Sequence, residues 1–184
     1  MAERAVGGLP AWARVRATRE AHVGRVVALL EQWADRMQLP DAQRARWLRA
    51  AWLHDALKDA PANWLRQLAP DAWNADSLRH GPAAAAMAAR DGERDPGVLD
   101  AVRYHSVGCA GWDDVGRMLY LADFLEPGRS GDPAWRSRLA EAVPGDPSGV
   151  LRAVAAARIG MTVGAGQPLL PETVAFWNRL ARGA

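Results

Sequence analysis

His54 and Asp55 stand side by side in the stretch Leu53-His54-Asp55-Ala56-Leu57-Lys58-Asp59. On a helix Lys58 falls i+4 from His54 and i+3 from Asp55, so the three side chains can address one cavity. The residues before them are apolar. With 3.6 residues per turn, Leu48, Ala51, Trp52 and Asp55 share a face, which points Asp55 into the interior. A buried carboxylate without a partner costs several kcal/mol. Asp55 must therefore be paired or hold a metal ion.

The other histidines repeat this anomaly. His22 lies on the stripe formed with Val26, Leu29, Leu30 and Trp33, and His105 follows Val98 and Val102 at i, i+4, i+7. His80 precedes Gly81-Pro82, where a helix can start and its free N–H groups favour an anion. Asp123 lies within Met118-Leu119-Tyr120-Leu121-Ala122-Asp123-Phe124-Leu125, and no placement on a helix keeps it clear of apolar neighbours. Any one of these residues alone reads best as a hydrogen-bonded core group. Four histidines and two aspartates misplaced in the same way are better explained together, because a shared metal site relieves all their desolvation costs. Four imidazoles suit first-row metals. A structural zinc needs only four ligands, commonly with thiolates. Six suit two ions bridged by a carboxylate, with positions left for water and phosphate oxygens.

Helices must position these groups. Val and Ile never gather into alternating runs, while Ala and Arg are abundant, which points to an all-α chain. Pro10 opens a first helix with Trp12 and Val15 inward, and a second runs from about 17 to 37. Leu39-Pro40 breaks it, and Asp41 caps the helix that carries His54-Asp55. A short helix spans 61–68, and 69–77 is turn-rich with Trp73 packed. An alanine-rich helix starts at Pro82 and ends near Arg90. Asp95-Pro96 starts the helix leading to His105, and Asp113-Asp114 the one carrying Asp123. The turn Glu126-Pro127-Gly128-Arg129 brings Arg129 back toward that helix end. Further helices fall near 135–143, 148–162 and 171–181, and residues 1–9 form a loose lead-in.

The 184 residues read as one domain, with a core over about 17–130 and C-terminal helices over about 131–184. Apolar residues make up 49% and charged residues 24%, ordinary for a globular protein. A net charge of +2 with scattered arginines argues against nucleic acid as a partner. Of 23 basic residues only Lys58 is a lysine, which invites a chemical role for it. The single Cys109 excludes an internal disulfide. No apolar leader follows Met1, and the apolar run 82–89 is too short to cross a membrane, so a cytoplasmic protein is expected.

The ordered set His22, His54-Asp55, His80, His105 and Asp123 resembles the HD-domain metal-dependent phosphohydrolases. The segments Leu53 to Asp59, His80-Gly81-Pro82, Tyr104-His105-Ser106-Val107-Gly108 and Leu121-Ala122-Asp123-Phe124-Leu125-Glu126-Pro127-Gly128-Arg129 are similar to the YqeK-type symmetrical diadenosine tetraphosphate hydrolases. The resemblance covers roughly 17–180, including Gly166-Gln167-Pro168-Leu169-Leu170-Pro171-Glu172-Thr173-Val174. It implies a helical bundle of HD type with a dimetal site in its core. Three features depart from that family: Trp112 stands where Met is usual, Leu57 where a smaller residue is usual, and Asp113-Asp114 is atypical. They touch the rim, so they bear on substrate preference before they bear on hydrolysis.

The resemblance implies that His22, His54, Asp55 and Asp123 hold one metal, and that Asp55 bridges to a second completed by His80 and His105. A metal-bridging hydroxide would attack phosphorus in line, turning diadenosine tetraphosphate and water into two ADP. Iron is the first expectation, with manganese or cobalt able to fill the site. Asp55 and Lys58 are the expected catalytic residues. Lys58, Arg129 and Arg19 are the expected substrate contacts, although Arg129 also suits a helix C-terminus as a plain surface charge. Cys109 as a further ligand is disfavoured against simple burial. Trp64 or Trp112 could stack on a base, with core packing the better expectation. The partner is a small nucleotide, the state a monomer or homodimer. Two alternatives stay open: another HD-type phosphohydrolase, such as a nucleotidase or phosphodiesterase, and a nucleotide-binding regulator without turnover.

Overall fold

The computed structural model describes residues 8–73 and 75–183. Among these residues all regular structure is helical: α1 (Ala17–Arg36), α2 (Asp41–His54), α3 (Ala62–Leu68), a 3-10 turn (Asp76–Leu78), α4 (His80–Arg90), α5 (Pro96–Tyr104), α6 (Asp114–Leu125), α7 (Pro133–Ala142), α8 (Pro147–Gly164) and α9 (Pro171–Ala181). The expected lead-in over 1–9 lies almost wholly outside the described residues. Among the described residues no helix is long and apolar enough to cross a membrane.

The centre of the bundle is α6. From Val115 to Leu125 every residue but Arg117 is buried, because α1, α2, α5, α7 and α8 all pack against it. The stripe on α1 buries Val23, Val26, Leu30 and Trp33, and the Trp33 indole donates to Ala140 O of α7 at 2.9 Å. Side chains of this size contribute about 1.5–3 kcal/mol each through burial. Phe176 meets Trp112 and Tyr120 edge-on at 5.3 and 5.4 Å and fastens α9 to α6. Trp112 is 4% exposed and its indole donates to Asp100 O, so it is a core residue and does not face a ligand.

Several local expectations need correction. Residues 10–16 form a turn and an extended segment, with no helix at Pro10. That segment pairs with the chain after His54: Arg14 N donates to Ala56 O and Asp59 N to Arg14 O. These tertiary bonds replace helical ones, so α2 stops at His54 and Asp55 takes its C-cap position at φ −107°. The His-Asp pair thus sits at a helix end and not within a helix. Asp41 lies in the first turn of α2 without capping it, since Pro40 holds the cap position. His80 begins α4 instead of preceding it. The caps expected at Asp95 and Asp113 are present: Asp95 accepts from Gly97 N and Val98 N, and Asp113 from Val115 N.

Gly81 is required where α4 crosses α5. A Cβ there would lie 2.9 Å from Arg103 O and 3.3 Å from His105 Cε1. This close approach brings His80 to His105.

Candidate metal centre

Six side chains converge where α1, α2, α4, α5 and α6 meet. His22, His54, Asp55, His80, His105 and Asp123 are each no more than 4% exposed. They form two triads, His22/His54/Asp123 and Asp55/His80/His105. In the first, His22 Nε2 lies 3.1 Å from Asp123 Oδ1 and 3.4 Å from His54 Nε2. In the second, Asp55 Oδ1 lies 3.1 Å from His80 Nε2 and 3.5 Å from His105 Nε2. The other Asp55 oxygen, Oδ2, faces the first triad at 3.7 Å from both His22 and His54 Nε2. Asp55 therefore stands between the triads and turns one oxygen to each.

Every imidazole is held by its Nδ1. His54, His80 and His105 donate to the carbonyls of Ala51, Ser77 and Val102 at 2.7–2.9 Å. Each acceptor lies three residues back in the chain, so the local backbone sets the ring. His22 Nδ1 instead donates to Glu126 Oε1 at 3.0 Å. Glu126 is buried and is itself held by Arg25 Nε and Gly128 N. With Nδ1 protonated by these bonds, all four Nε2 lone pairs face the same space.

Burial, only partly opposed by Asp55, lowers both His54 and His80 to about 4. Both rings are neutral near pH 7 and free to donate a lone pair. Asp55 is held well below the usual carboxylate range despite its burial. Burial also opposes ionisation of Asp123, and the neighbouring Arg158 and Arg129 guanidiniums overcome it. Neutral imidazoles and ionised carboxylates form the donor set that divalent first-row metals take. The chemistry of these residues fits such ions.

A cavity of about 200 Å³ opens onto this cluster, lined by Arg19, Asp55, Lys58, His105, Ser106, Asp123, Arg129 and Arg158. Arg19 donates to Asp55 Oδ2 at 2.8 Å. Arg129 donates to Asp123 O at 2.8 Å and also to Asp123 Oδ1. Lys58 Nζ lies 3.2 Å from His80 Nε2. The three cations singled out from sequence are thus brought together with the six expected ligands. Four cations against two carboxylates leave a surplus of positive charge suited to an anion.

Sequence reasoning missed Arg158, Glu126 and Arg25. Glu126 and Arg25 each lie i+3 from a ligand, at Asp123 and His22, so helical spacing could have pointed to them. Other residues have plain structural roles. Asp59 accepts from Arg16 N, Asp113 pairs with Arg46, and Cys109 belongs to neither triad. Trp64 lies half-exposed under the Arg14 guanidinium.

The HD domain family model matches residues 19–128, which include all six clustered residues. A symmetrical bis(5'-nucleosyl)-tetraphosphatase of Halalkalibacterium halodurans is 26% identical over 162 residues, covering 84% of this chain and 86% of that protein. One from Bacillus subtilis is 30% identical over 95 residues, covering 44% of this chain and 48% of that protein. A crystal structure from Clostridium acetobutylicum, described as a predicted HD superfamily hydrolase involved in NAD metabolism, superposes with a TM-score of 0.79. It is 22% identical, and the match covers 92% of each chain, so it shares the fold. By the extent of the family match, which takes in more than half of its residues, the chain belongs to the HD domain family.

Proposed function

We propose that the protein hydrolyses dinucleoside polyphosphates symmetrically, converting diadenosine tetraphosphate and water to two ADP. The observation that carries this reading is the position of Asp55, one oxygen toward each triad, beneath a cavity lined by Lys58 and three arginines. Two relatives named for that activity support it, one across most of the chain.

His22, His54, Asp55 and Asp123 would hold one divalent ion, and Asp55, His80 and His105 the other. When bound, such ions polarise a phosphoryl oxygen and lower the pKa of water. Iron is the metal we propose first, with manganese or cobalt fitting the same donors. The remaining work falls to the chain itself. Glu126 and three backbone carbonyls fix the imidazole tautomers. Lys58, half-buried beside His80, places a positive charge where negative charge grows on the phosphoryl group. Arg19 and Arg129 supply planar, multiply donating groups for phosphate oxygens. The surplus of cations favours a chain of several phosphates over a single one. Arg158 on α8 joins this wall, so we infer that the C-terminal helices belong to the same domain as the HD residues.

The test is an anaerobic assay of metal-loaded protein with diadenosine tetraphosphate, the products resolved by ion exchange. ADP as sole product is expected. ATP with AMP would overturn symmetrical cleavage. No cleavage with metal present would move the search to mononucleotides and cyclic nucleotides.

A further inference from the structure

Two arginines grip Asp123, and they hold different oxygens. Arg129, from the turn after α6, takes Oδ1, the oxygen 3.1 Å from His22 Nε2. Arg158, from α8, takes Oδ2 at 2.8 Å. An ion shared by Asp123 with His22 needs the oxygen that faces that ring, which is Oδ1. Arg129 competes with an ion for that oxygen, and Arg158 does not. Arg19 is placed as Arg129 is, because it holds Asp55 Oδ2, the oxygen facing His22 and His54.

Arg158 is held where it is by groups of its own. Its guanidinium carbon lies 4.2 Å from the Tyr120 ring centroid and 5.1 Å from that of Phe124. Its side chain is 18% exposed. A flexible surface arginine would give up most of its bond energy in ordering, whereas this one is ordered by packing. It also comes from outside the matched residues 19–128.

We infer that Arg158 is a positioning residue of the metal centre: by holding Asp123 Oδ2 it keeps Oδ1 turned to His22 and His54. Helix α8 thereby completes a site that the HD residues begin. Carboxylates that bind metals are commonly fixed by a hydrogen bond to the oxygen not engaged, and loss of such a partner typically costs 10–100-fold in metal affinity. The two other arginines are then released from the carboxylates as ions bind, and become available to phosphate. This rests on the metal-site reading given above.

The experiment is calorimetric titration of Mn²⁺ into metal-free full-length protein, for wild type, R158M, R158K and R129M. Wild type is expected to take two equivalents. R158M should keep one at wild-type affinity and weaken the other about 10–100-fold. R158K, which can still donate one charged bond to Oδ2, should recover part of that loss. R129M, freed of a competitor, should bind Mn²⁺ at least as tightly as wild type and bind inorganic tripolyphosphate more weakly. If R158M loses its helical circular dichroism, R158L replaces it under the same criterion. Two equivalents of unchanged affinity in the Arg158 variant would overturn the inference while leaving the metal site intact. Equal weakening in R129M and R158M would overturn the division between the arginines. Fewer than two equivalents in wild type would overturn the dimetal reading and this inference with it.

Discussion

The two triads are built by different means. In Asp55/His80/His105, both rings hang on backbone carbonyls and sit at helix ends, His80 opening α4 and His105 capping α5. In His22/His54/Asp123, only His54 is held by the backbone. His22 depends on Glu126, and Asp123 is gripped by Arg129 and Arg158. The rings of one triad are therefore set by main-chain geometry, which few substitutions reach. The other is set by a charged network, each member of which is one mutation from removal. Asp55, a member of the second, turns its other oxygen toward the first.

That contrast predicts a hierarchy of effects. Asp55→Ala should abolish activity and metal content together, and full metal occupancy measured by plasma mass spectrometry would sink the bridging role. His80→Ala, by comparison, should lose one metal equivalent and keep the other. Lys58→Met should retain both ions and reduce kcat about 10²–10³-fold, the usual cost of removing one charge-stabilising donor. A kcat equal to wild type would return Lys58 to an ordinary half-buried residue. Glu126→Gln keeps the shape but not the charge behind His22. Affinity of one equivalent should fall about 10-fold or more while the other stays put. Equal weakening of both equivalents in a titration would erase the distinction between the triads. The smallest expected effect is that of Gly81→Ala. Its methyl group meets the Arg103 and Val102 carbonyls, so α4 must move from α5. A loss of about 1–3 kcal/mol in thermal unfolding is expected, with weakening confined to the backbone-set triad. An unchanged melting curve would show that the crossing is slack.

The six clustered residues were legible in the sequence because all but His80 violate a simple pattern: a polar group on an apolar helical face has to be answered by something. Helix starts were legible where a cap was local, as at Asp95 and Asp113. The end of α2 was not. Nothing between His54 and Lys58 breaks a helix, and the break comes from hydrogen bonds to Arg14, some forty residues earlier in the chain. The helix expected at Pro10 fails for the same reason, since that strip of backbone is taken up by this pairing. Arg158 was also illegible. It is one of two arginines on α8, and only the packing of α8 on α6 delivers it to Asp123. Local chemistry can be read from spacing, whereas a partner supplied by a distant helix requires the fold.

The solitary lysine has a practical consequence. Apart from the terminal amine, Lys58 carries the only primary amine in the 184 residues, and it lines the cavity over the two triads. An amine-selective acylating reagent therefore has a single side-chain target in this sequence, placed at the cavity beside Asp55 and Asp123. The mass gained at that one position reads directly whether the cavity is filled, so the protein carries its own occupancy gauge without an engineered label.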